Sequence, residues 1–442
     1  MFSFRSLALS ASATFLTLSP TWALAATSHP YDVVEQFAEV LSVVEDEYVE
    51  APQREALTQG AIAGMVAALD PHSAYMTAEQ YGEFKEDTSG RFAGLGIEVD
   101  LRNGQVIIVA PIGGSPAERA GLRSGDRIVA LDGTPLEALP MAEIVRRMRG
   151  MKGTVAHLVL RRTGHELPIR INVESDDVSV PSVHTHMFEG HVAFVRIVAF
   201  QEGTHTELLS KMGNLISQLG QCRGLILDLR QNPGGLVAES IAVADEFLNS
   251  GLLFSTRHRG KVVERVETTA YGHFENIPMI TLVDSGSASA AEIVAGAFKD
   301  RKRSLLVGDR TFGKGTVQSI IDVSGGAGLR LTSLRYYTPL GHGIQAAGIQ
   351  PDTLVADQDL DAEPLRESDL PGHLPNERVS IAPPTTTDQA APPNKDEQGC
   401  VRLKPIRTLA QKMADLPAVP TTEKDAQLAL AYQLLLNQIV TH

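Results

Sequence analysis

Cysteine is nearly absent from this chain of 442 residues: Cys222 and Cys400 are too few for a disulfide framework or a thiolate zinc site. The 13 histidines are scattered and contain no H-E-x-x-H, so no metalloprotease pattern is present. His184-Thr185-His186 would put two imidazoles on one face of a strand, a spacing that exposed polar positions produce more often than zinc does. Neither a metal nor another cofactor is expected. Positive charge is also short, with 39 Lys and Arg against 53 Asp and Glu, a net charge of −14. That balance argues against a general nucleic-acid binder, which needs a cationic surface to displace counterions, so no nucleic-acid partner is expected. Past the first residues there is no run of about 18 consecutive apolar residues, and hence no candidate membrane span.

Globular composition is what remains. Hydrophobic residues make up 43% and charged residues 21% of the chain, and its length corresponds to roughly three domains at about 150 residues each. At the N-terminus, Met1–Arg5 carries one positive charge and Ser6–Leu18 is apolar but diluted by Ser and Thr. Ala23-Leu24-Ala25 follows as an A-x-A-like cleavage site. Residues 1–25 are therefore read as a signal peptide, which places the protein outside the cytoplasm, in a periplasm or its equivalent. Left uncleaved, the same segment would tether it to a membrane.

Hydrophobic periodicity divides the rest. Val34, Phe37, Leu41, Val44 and Tyr48 recur at steps of three and four, one face of an amphipathic helix, and a second helix runs from Arg54 to the stop at Asp70-Pro71. Thr77 with Gln80 three residues on predicts a capped third helix. Residues 26–88 thus form a helical N-terminal segment suited to capping another domain or to dimerisation. Residues 89–174 change to short strands, with Asn103-Gly104 as a hairpin signal and one helix at Met141–Met148, a mixed α+β unit. Residues 175–357 alternate buried-type strands (Val192–Val198, Gly224–Leu229, Met279–Val283, Ser304–Val307) with helices, which predicts an α/β core with a mostly parallel sheet. Val317–Val323 and Gly328–Leu334 read as a hairpin appended to it. Residues 358–442 comprise a Pro-rich linker around 380–398 and a final helix near Thr422–Val440, placed either on the N-terminal helices or against a second chain.

Three clusters in the core carry possible chemistry. Asp228-Leu229-Arg230-Gln231-Asn232-Pro233-Gly234-Gly235 ends a strand with two glycines before a helix, a turn whose N–H groups suit an oxyanion. Ser285-Gly286-Ser287-Ala288-Ser289-Ala290-Ala291-Glu292 sets serines among small residues at a strand-to-helix junction, the packing that lets a hydroxyl project from a tight elbow. Spacing alone does not choose among the three serines. Thr311-Phe312-Gly313-Lys314-Gly315-Thr316-Val317-Gln318 offers a lysine between glycines. Such a lysine serves as a base only if burial lowers its pKa from about 10.4 to about 7–8. In an extended segment Gln318 would share its face and could orient the amine. Gly308–Lys314 also fits G-x-x-x-x-G-K, but Gly315 stands where a phosphate loop needs Ser or Thr.

In this order the three clusters resemble those of the carboxyl-terminal processing (tail-specific) proteases, and the resemblance runs from about residue 31 to 357. Leu69-Asp70-Pro71-His72-Ser73, the Gly-Leu-Gly-Ile stretch at 94–97 and Gly348-Ile349-Gln350-Pro351-Asp352 belong to it. The resemblance implies an exported serine endopeptidase with a Ser–Lys dyad and an inserted PDZ domain at 89–174. Ser289 falls on the nucleophile, Lys314 on the general base and Gln318 on the residue that orients the lysine. The N–H groups of Ala290 and Gly235 fall on the oxyanion hole. Gly94, Leu95, Gly96 and Ile97 fall on the loop that captures the carboxylate of an apolar substrate tail, which would add as a strand. Implied partners are protein substrates with such tails, an adaptor protein, and further copies of the chain in a homo-oligomer. The alternatives are an inactive exported PDZ adaptor and a serine esterase or amidase.

Overall fold

The computed structural model describes residues 32–102, 104–137, 139–269, 272–355, 364–377, 419–421 and 425–441. The expected signal peptide, the Pro-rich stretch at 380–398, Asn103 and Cys400 lie outside the described residues. The chain divides into two compact units, Met1–Ala61 and Ile62–His442.

In the first unit, helix α1 (Asp32–Glu47) follows the predicted periodicity, and the guanidinium of Arg54 pairs with Glu45. Val33, Val34, Phe37, Val40 and Val43 of α1 are exposed. Helix α2 (Arg54–Ala67) continues into the second unit and stops before Asp70-Pro71.

The second unit opens with strand β1 (Ala74–Met76) and helix α3 (Ala78–Ser89). Thr77 and Gln80 form the anticipated reciprocal cap: the Thr77 N–H donates to Gln80 Oε1 (3.0 Å) and the Gln80 N–H to Thr77 Oγ1 (3.4 Å). Strand β2 (Arg91–Gly94) leads into a sheet of β3 (Ile97–Arg102), β4 (Gln105–Pro111), β5 (Arg127–Leu131), β6 (Thr134–Pro135), β7 (Val155–Arg161) and β8 (Ile169–Glu174). Helix α4 (Pro116–Arg119) and helix α5 (Met141–Met148) accompany it. The order is β3-β4-β5-β7-β8 with β6 on β5, so β3 is an edge. Leu95, Ile108, Ile128, Leu136, Ile144, Met148, Leu158 and Val173 close its own core. Strand β9 (Asp176–Ser179) returns to pair with β2, so the chain enters and leaves this unit through one two-stranded stem.

The larger core holds two sheets. The first takes β10 (Val183–Phe188), β11 (Val192–Ile197), β12 (Gly224–Asp228), β15 (Met279–Val283), β16 (Leu305–Gly308) and β19 (Thr353–Leu354), in that order. Its β10–β11 pair is antiparallel and the other four pairings are parallel. The second gathers β13 (Gly251–His258), β14 (Lys261–Thr268), β17 (Thr316–Asp322), β18 (Gly328–Tyr337) and β1, and every pairing in it is antiparallel. Taken together the core is mixed, where the sequence pointed to a mostly parallel sheet. The hairpin β13–β14 escapes sequence reading because its turn is Arg259-Gly260 with both φ positive (47° and 80°), a primed turn without the Asn-Gly or Asp-Gly signature. The β17–β18 hairpin is accordingly part of a five-stranded sheet and no appendage.

Helices α6 (Thr204–Leu219), α7 (Val237–Asp245) and α8 (Ala290–Asp300) cover the parallel sheet, and Leu208, Met212, Val243, Phe247, Val294 and Phe298 are buried among its Leu225, Leu227, Met279 and Val283. Each such side chain contributes about 1.5–3 kcal/mol on burial. The opposite face carries Phe188, Phe194, Ile226, Ile280 and Val307, and helix α9 (Ala426–Thr441) seals it with Leu428, Ala431, Tyr432 and Leu435. This corrects the placement of the last helix, which was expected on the N-terminal helices or a second chain: an apolar sheet face in the core itself is the surface it covers. Arg230 pins its start, donating to Asp425 (2.9 Å) and Gln427 (3.1 Å).

Candidate active site

Strand β15 is buried along its whole length and delivers the chain to a turn that ends at Ser289, immediately before α8. Ser289 has φ 54° and ψ −115°, a conformation that L-residues avoid and that costs on the order of 1–3 kcal/mol. The surroundings impose it. Asp284 accepts hydrogen bonds from the Gln231 N–H (2.8 Å) and side-chain amide (2.7 Å) and from the Gly286 N–H (2.9 Å), locking the first cluster onto the second. The Ala288 N–H donates to the Asn232 carbonyl (2.9 Å). Ser287 is committed to structure, its hydroxyl donating to the Leu229 carbonyl at 2.8 Å. Ser289 instead stands at the strained position at the helix start.

The two glycines of the first cluster do different things. A Cβ on Gly234 would come within 2.8 Å of Ser289 Cβ and 3.0 Å of the Ala290 nitrogen, so it is Gly234 that packs against the serine turn. Its own N–H is taken by Asn232 Oδ1 (2.9 Å). Gly235, with φ 132°, lies against Phe200, where a Cβ would strike the carbonyl oxygen at 2.1 Å. Among the described residues no acceptor takes the N–H of Gly235 or of Ala290.

Lys314 lies in the loop between β16 and β17, and Gly315 lets that loop close on the backbone of Gln345: a Cβ there would meet the Gln345 nitrogen at 2.2 Å. The Gly315 N–H donates to Gln345 Oε1 (2.9 Å). Burial lowers the pKa of the Lys314 amine, and the charge of Arg330 lowers it further. Glu367, Asp70 and Glu292 oppose that trend. Among the described residues the amine makes no ion pair, and no hydrogen bond joins it to the Ser289 hydroxyl.

What ties the serine to the lysine is Glu292, a residue that sequence reading used only to mark the end of a cluster. Its fully buried carboxylate accepts the N–H groups of Ser289 (2.9 Å), Gly313 (2.8 Å) and Lys314 (2.8 Å) and the Thr311 hydroxyl. Burial pushes its pKa up to about 7 against those four bonds. The signal was available in the Ser-x-x-Glu spacing of a capping box, of which the half from the Ser289 N–H to the Glu292 carboxylate is realised here.

Gln318 departs from expectation. Its amide nitrogen donates to the hydroxyls of Thr316 (3.2 Å) and Thr332 (3.0 Å), and no bond reaches Lys314. The reason is local: Lys314 and Gly315 lie in the loop before β17, which begins at Thr316, so strand alternation does not extend back to residue 314. Thr332 also donates to Asp70 Oδ1 (3.0 Å). The Asp70-Pro71-His72-Ser73 motif reaches the site by that contact and by the pairing of β1 with β18. Burial would raise the Asp70 pKa, but hydrogen bonds from Ser73, His72 and Thr332 outweigh it and hold the carboxyl below its usual range.

In the segment from β2 to β9, Gly94 and Ile97 belong to strands β2 and β3, so only Leu95 and Gly96 form a loop. The Leu95 side chain is buried in the unit's core. Gly96 has φ 74°, and a Cβ there would meet Ser115 Cβ at 2.3 Å. Next to this loop β3 is an edge strand with β4 as its strand partner among the described residues, and α5 contributes Ile144 and Met148 to the core under it.

Comparison with known proteins gives the family. Residues 191–355 match peptidase family S41, residues 107–162 match a PDZ domain, and residues 19–80 match the activating protease CtpB N-terminal domain. The chain is 38% identical over 359 residues to a carboxy-terminal-processing protease of Bartonella bacilliformis, covering 79% of this chain and 82% of that one. It is 36% identical over 320 residues to a Staphylococcus epidermidis protein described as a probable CtpA-like serine protease, covering 72% of this chain and 64% of that one. It therefore spans just under two thirds of the staphylococcal relative. Among solved structures, a photosystem II D1 C-terminal processing protease is 28% identical, with 72% of this chain and 86% of that one covered and a TM-score of 0.45.

Proposed function

Because this chain belongs to the carboxy-terminal-processing proteases, serine-type peptidases of family S41, we propose that it is an exported endopeptidase that cleaves protein substrates with a Ser289–Lys314 dyad. The observation that carries this reading is the single buried carboxylate of Glu292, which holds the backbones of Ser289 and Lys314 together, beside a lysine whose amine is pushed toward its uncharged form.

The neutral Lys314 amine takes the Ser289 proton as Oγ attacks the scissile carbonyl carbon. The N–H groups of Ala290 and Gly235 receive the developing oxyanion. Collapse breaks the C–N bond, the Lys314 ammonium returns its proton to the leaving amine, and water then releases the acyl group from Ser289. With the amine and hydroxyl unbonded and Gln318 turned to Thr332, the arrangement described is a resting one. Engagement of a substrate tail closes the dyad and brings Gln318 onto the lysine.

Tail capture is assigned to Leu95 and Gly96 and to the outer edge of β3, where an extended C-terminus adds as a strand against α5. The exposed apolar stripe of α1 supports assembly into a homo-oligomer, which a mass measurement in solution tests. Export rests on the Ser6–Ala25 pattern alone. Among the described residues no helix is long and apolar enough to cross a membrane.

The deciding experiment is cleavage of casein by the wild type, Ser289→Ala and Lys314→Ala. Each substitution should cut turnover by at least about 1,000-fold while the protein stays folded. Full activity in Ser289→Ala would remove the dyad. Amidating the C-terminus of a peptide substrate should slow cleavage if the terminal carboxylate is captured; an unchanged rate would reduce the PDZ unit to a scaffold.

A further inference from the structure

Residues 364–377 lie beyond the matched peptidase segment, and no motif in them suggested a role. In the structure they form a strap under the lysine loop. Arg366 donates to the Asp309 carboxylate (2.8 Å) and to the carbonyls of Arg310 and Thr311, and the Glu367 N–H donates to the Phe312 carbonyl (3.1 Å). The Glu367 side chain is fully buried. Its Oε1 accepts from the Gln345 amide (2.8 Å), and its Oε2 meets His72 Nε2 at 2.7 Å. Gln345, itself buried, passes the contact on to the Gly315 N–H (2.9 Å), one residue from Lys314.

We propose that Glu367 is a positioning residue for Lys314, fixing the lysine loop through Gln345 and supplying, with His72 as its partner, a buried negative charge that sets how readily the amine gives up its proton. This rests on Lys314 acting as the base. The charges around the amine come from every side: Arg330 on β18, Asp70 from the motif before β1, Glu292 on α8, and Glu367 on the strap. Arg330 and Glu367 pull in opposite directions. Removing the carboxylate leaves Arg330 less opposed, so the amine should lose its proton at lower pH. In the same change the bond to Gln345 can persist, because a glutamine at this position still offers an acceptor oxygen.

The test is the pH dependence of kcat and KM for casein-derived peptide cleavage by the full-length protein. Glu367→Gln should move the acid limb of the profile to lower pH by about half a unit to one unit. Glu367→Asp, which keeps the charge, should leave the limb near the wild-type position. An acid limb that stays put in Glu367→Gln while Lys314→Ala remains inactive overturns this proposal and leaves the dyad standing. Activity surviving in Lys314→Ala would instead sink the dyad. Should Glu367→Gln fail to fold, Gln345→Ala carries the mechanical half: about a tenfold loss in kcat with KM and the acid limb unmoved supports it, and an unchanged kcat overturns it.

Discussion

Ser289 is held by its own strained backbone, packed between Gly234 and the start of α8, and what holds it comes from the loop after β12, the turn after β15 and Glu292 in the first turn of α8, three residues away. Lys314 is held from a distance. Its loop is fastened to Glu292 and Gln345, and its amine feels Asp70, Arg330 and Glu367, residues spread over almost 300 positions. The nucleophile is thus built by local sterics and the base by convergence of remote charges. A serine needs only an exposed hydroxyl at a tight turn, whereas a lysine becomes a base only when the field around it favours the neutral amine.

Glu292 is where the two modes meet, and breaking it should have the largest effect. Glu292→Ala leaves three N–H groups, that of Gly313 buried and those of Ser289 and Lys314 half-buried, and the buried Thr311 hydroxyl without their acceptor, at about 1–3 kcal/mol each before relaxation. We expect it to be strongly destabilised and inactive, as urea denaturation and casein cleavage would show. Glu292→Gln separates charge from shape. The folded-state pKa of Glu292, about 7, lies above its ordinary 4.5. Its protonation therefore stabilises the fold fully below about pH 4.5, and that contribution is lost as pH rises through about 7. The stability of the wild type relative to Glu292→Gln should fall between pH 5 and pH 8, by an amount on the order of 3 kcal/mol. A constant difference would mean the carboxyl is already ionised at low pH.

Gly234→Ala probes the serine side alone. The added Cβ would sit 2.8 Å from Ser289 Cβ and 2.9 Å from the Ala288 carbonyl, at φ 102°. Turnover should fall about 100-fold through displacement of the hydroxyl, with the acid limb of the pH profile unmoved because no charge near Lys314 changes. A shifted limb would blur the division between the two sides. Gln318→Ala should be the mildest, a loss of about tenfold or less in kcat with thermal stability changed by less than about 1 kcal/mol, since the amide bonds only to two threonines here. A loss as deep as that of Lys314→Ala would mean that Gln318 is needed at every step.

Much of this was readable beforehand, and the failures have causes. The apolar runs of β11, β12, β15 and β16 are bounded by turns and were legible as buried strands. The three clusters stood out because glycines and small residues mark close backbone approach, which Gly234, Gly235 and Gly315 display. The second sheet was missed in part because β14 is largely exposed and its turn lacks the usual residues. Alignment of Gln318 with Lys314 requires an extended segment over 314–318, and residues 314 and 315 lie in the loop before β17. The final helix was sent to the wrong surface because its leucines specify an apolar partner without saying which.

Side-chain size and backbone freedom within a few residues made most of the local elements legible in the sequence, together with a serine-bearing turn before α8 and the glycines that let three loops approach one another; which of the three serines takes the strained position was left to the fold. Only the tertiary structure decided which carboxylate clamps serine to lysine, which threonines occupy Gln318, and how Arg330, Asp70, Glu292 and Glu367 compete over one amine. Electrostatic and hydrogen-bonding fields depend on distance in space, and the fold alone brings residues 70, 292, 330 and 367 to the same place.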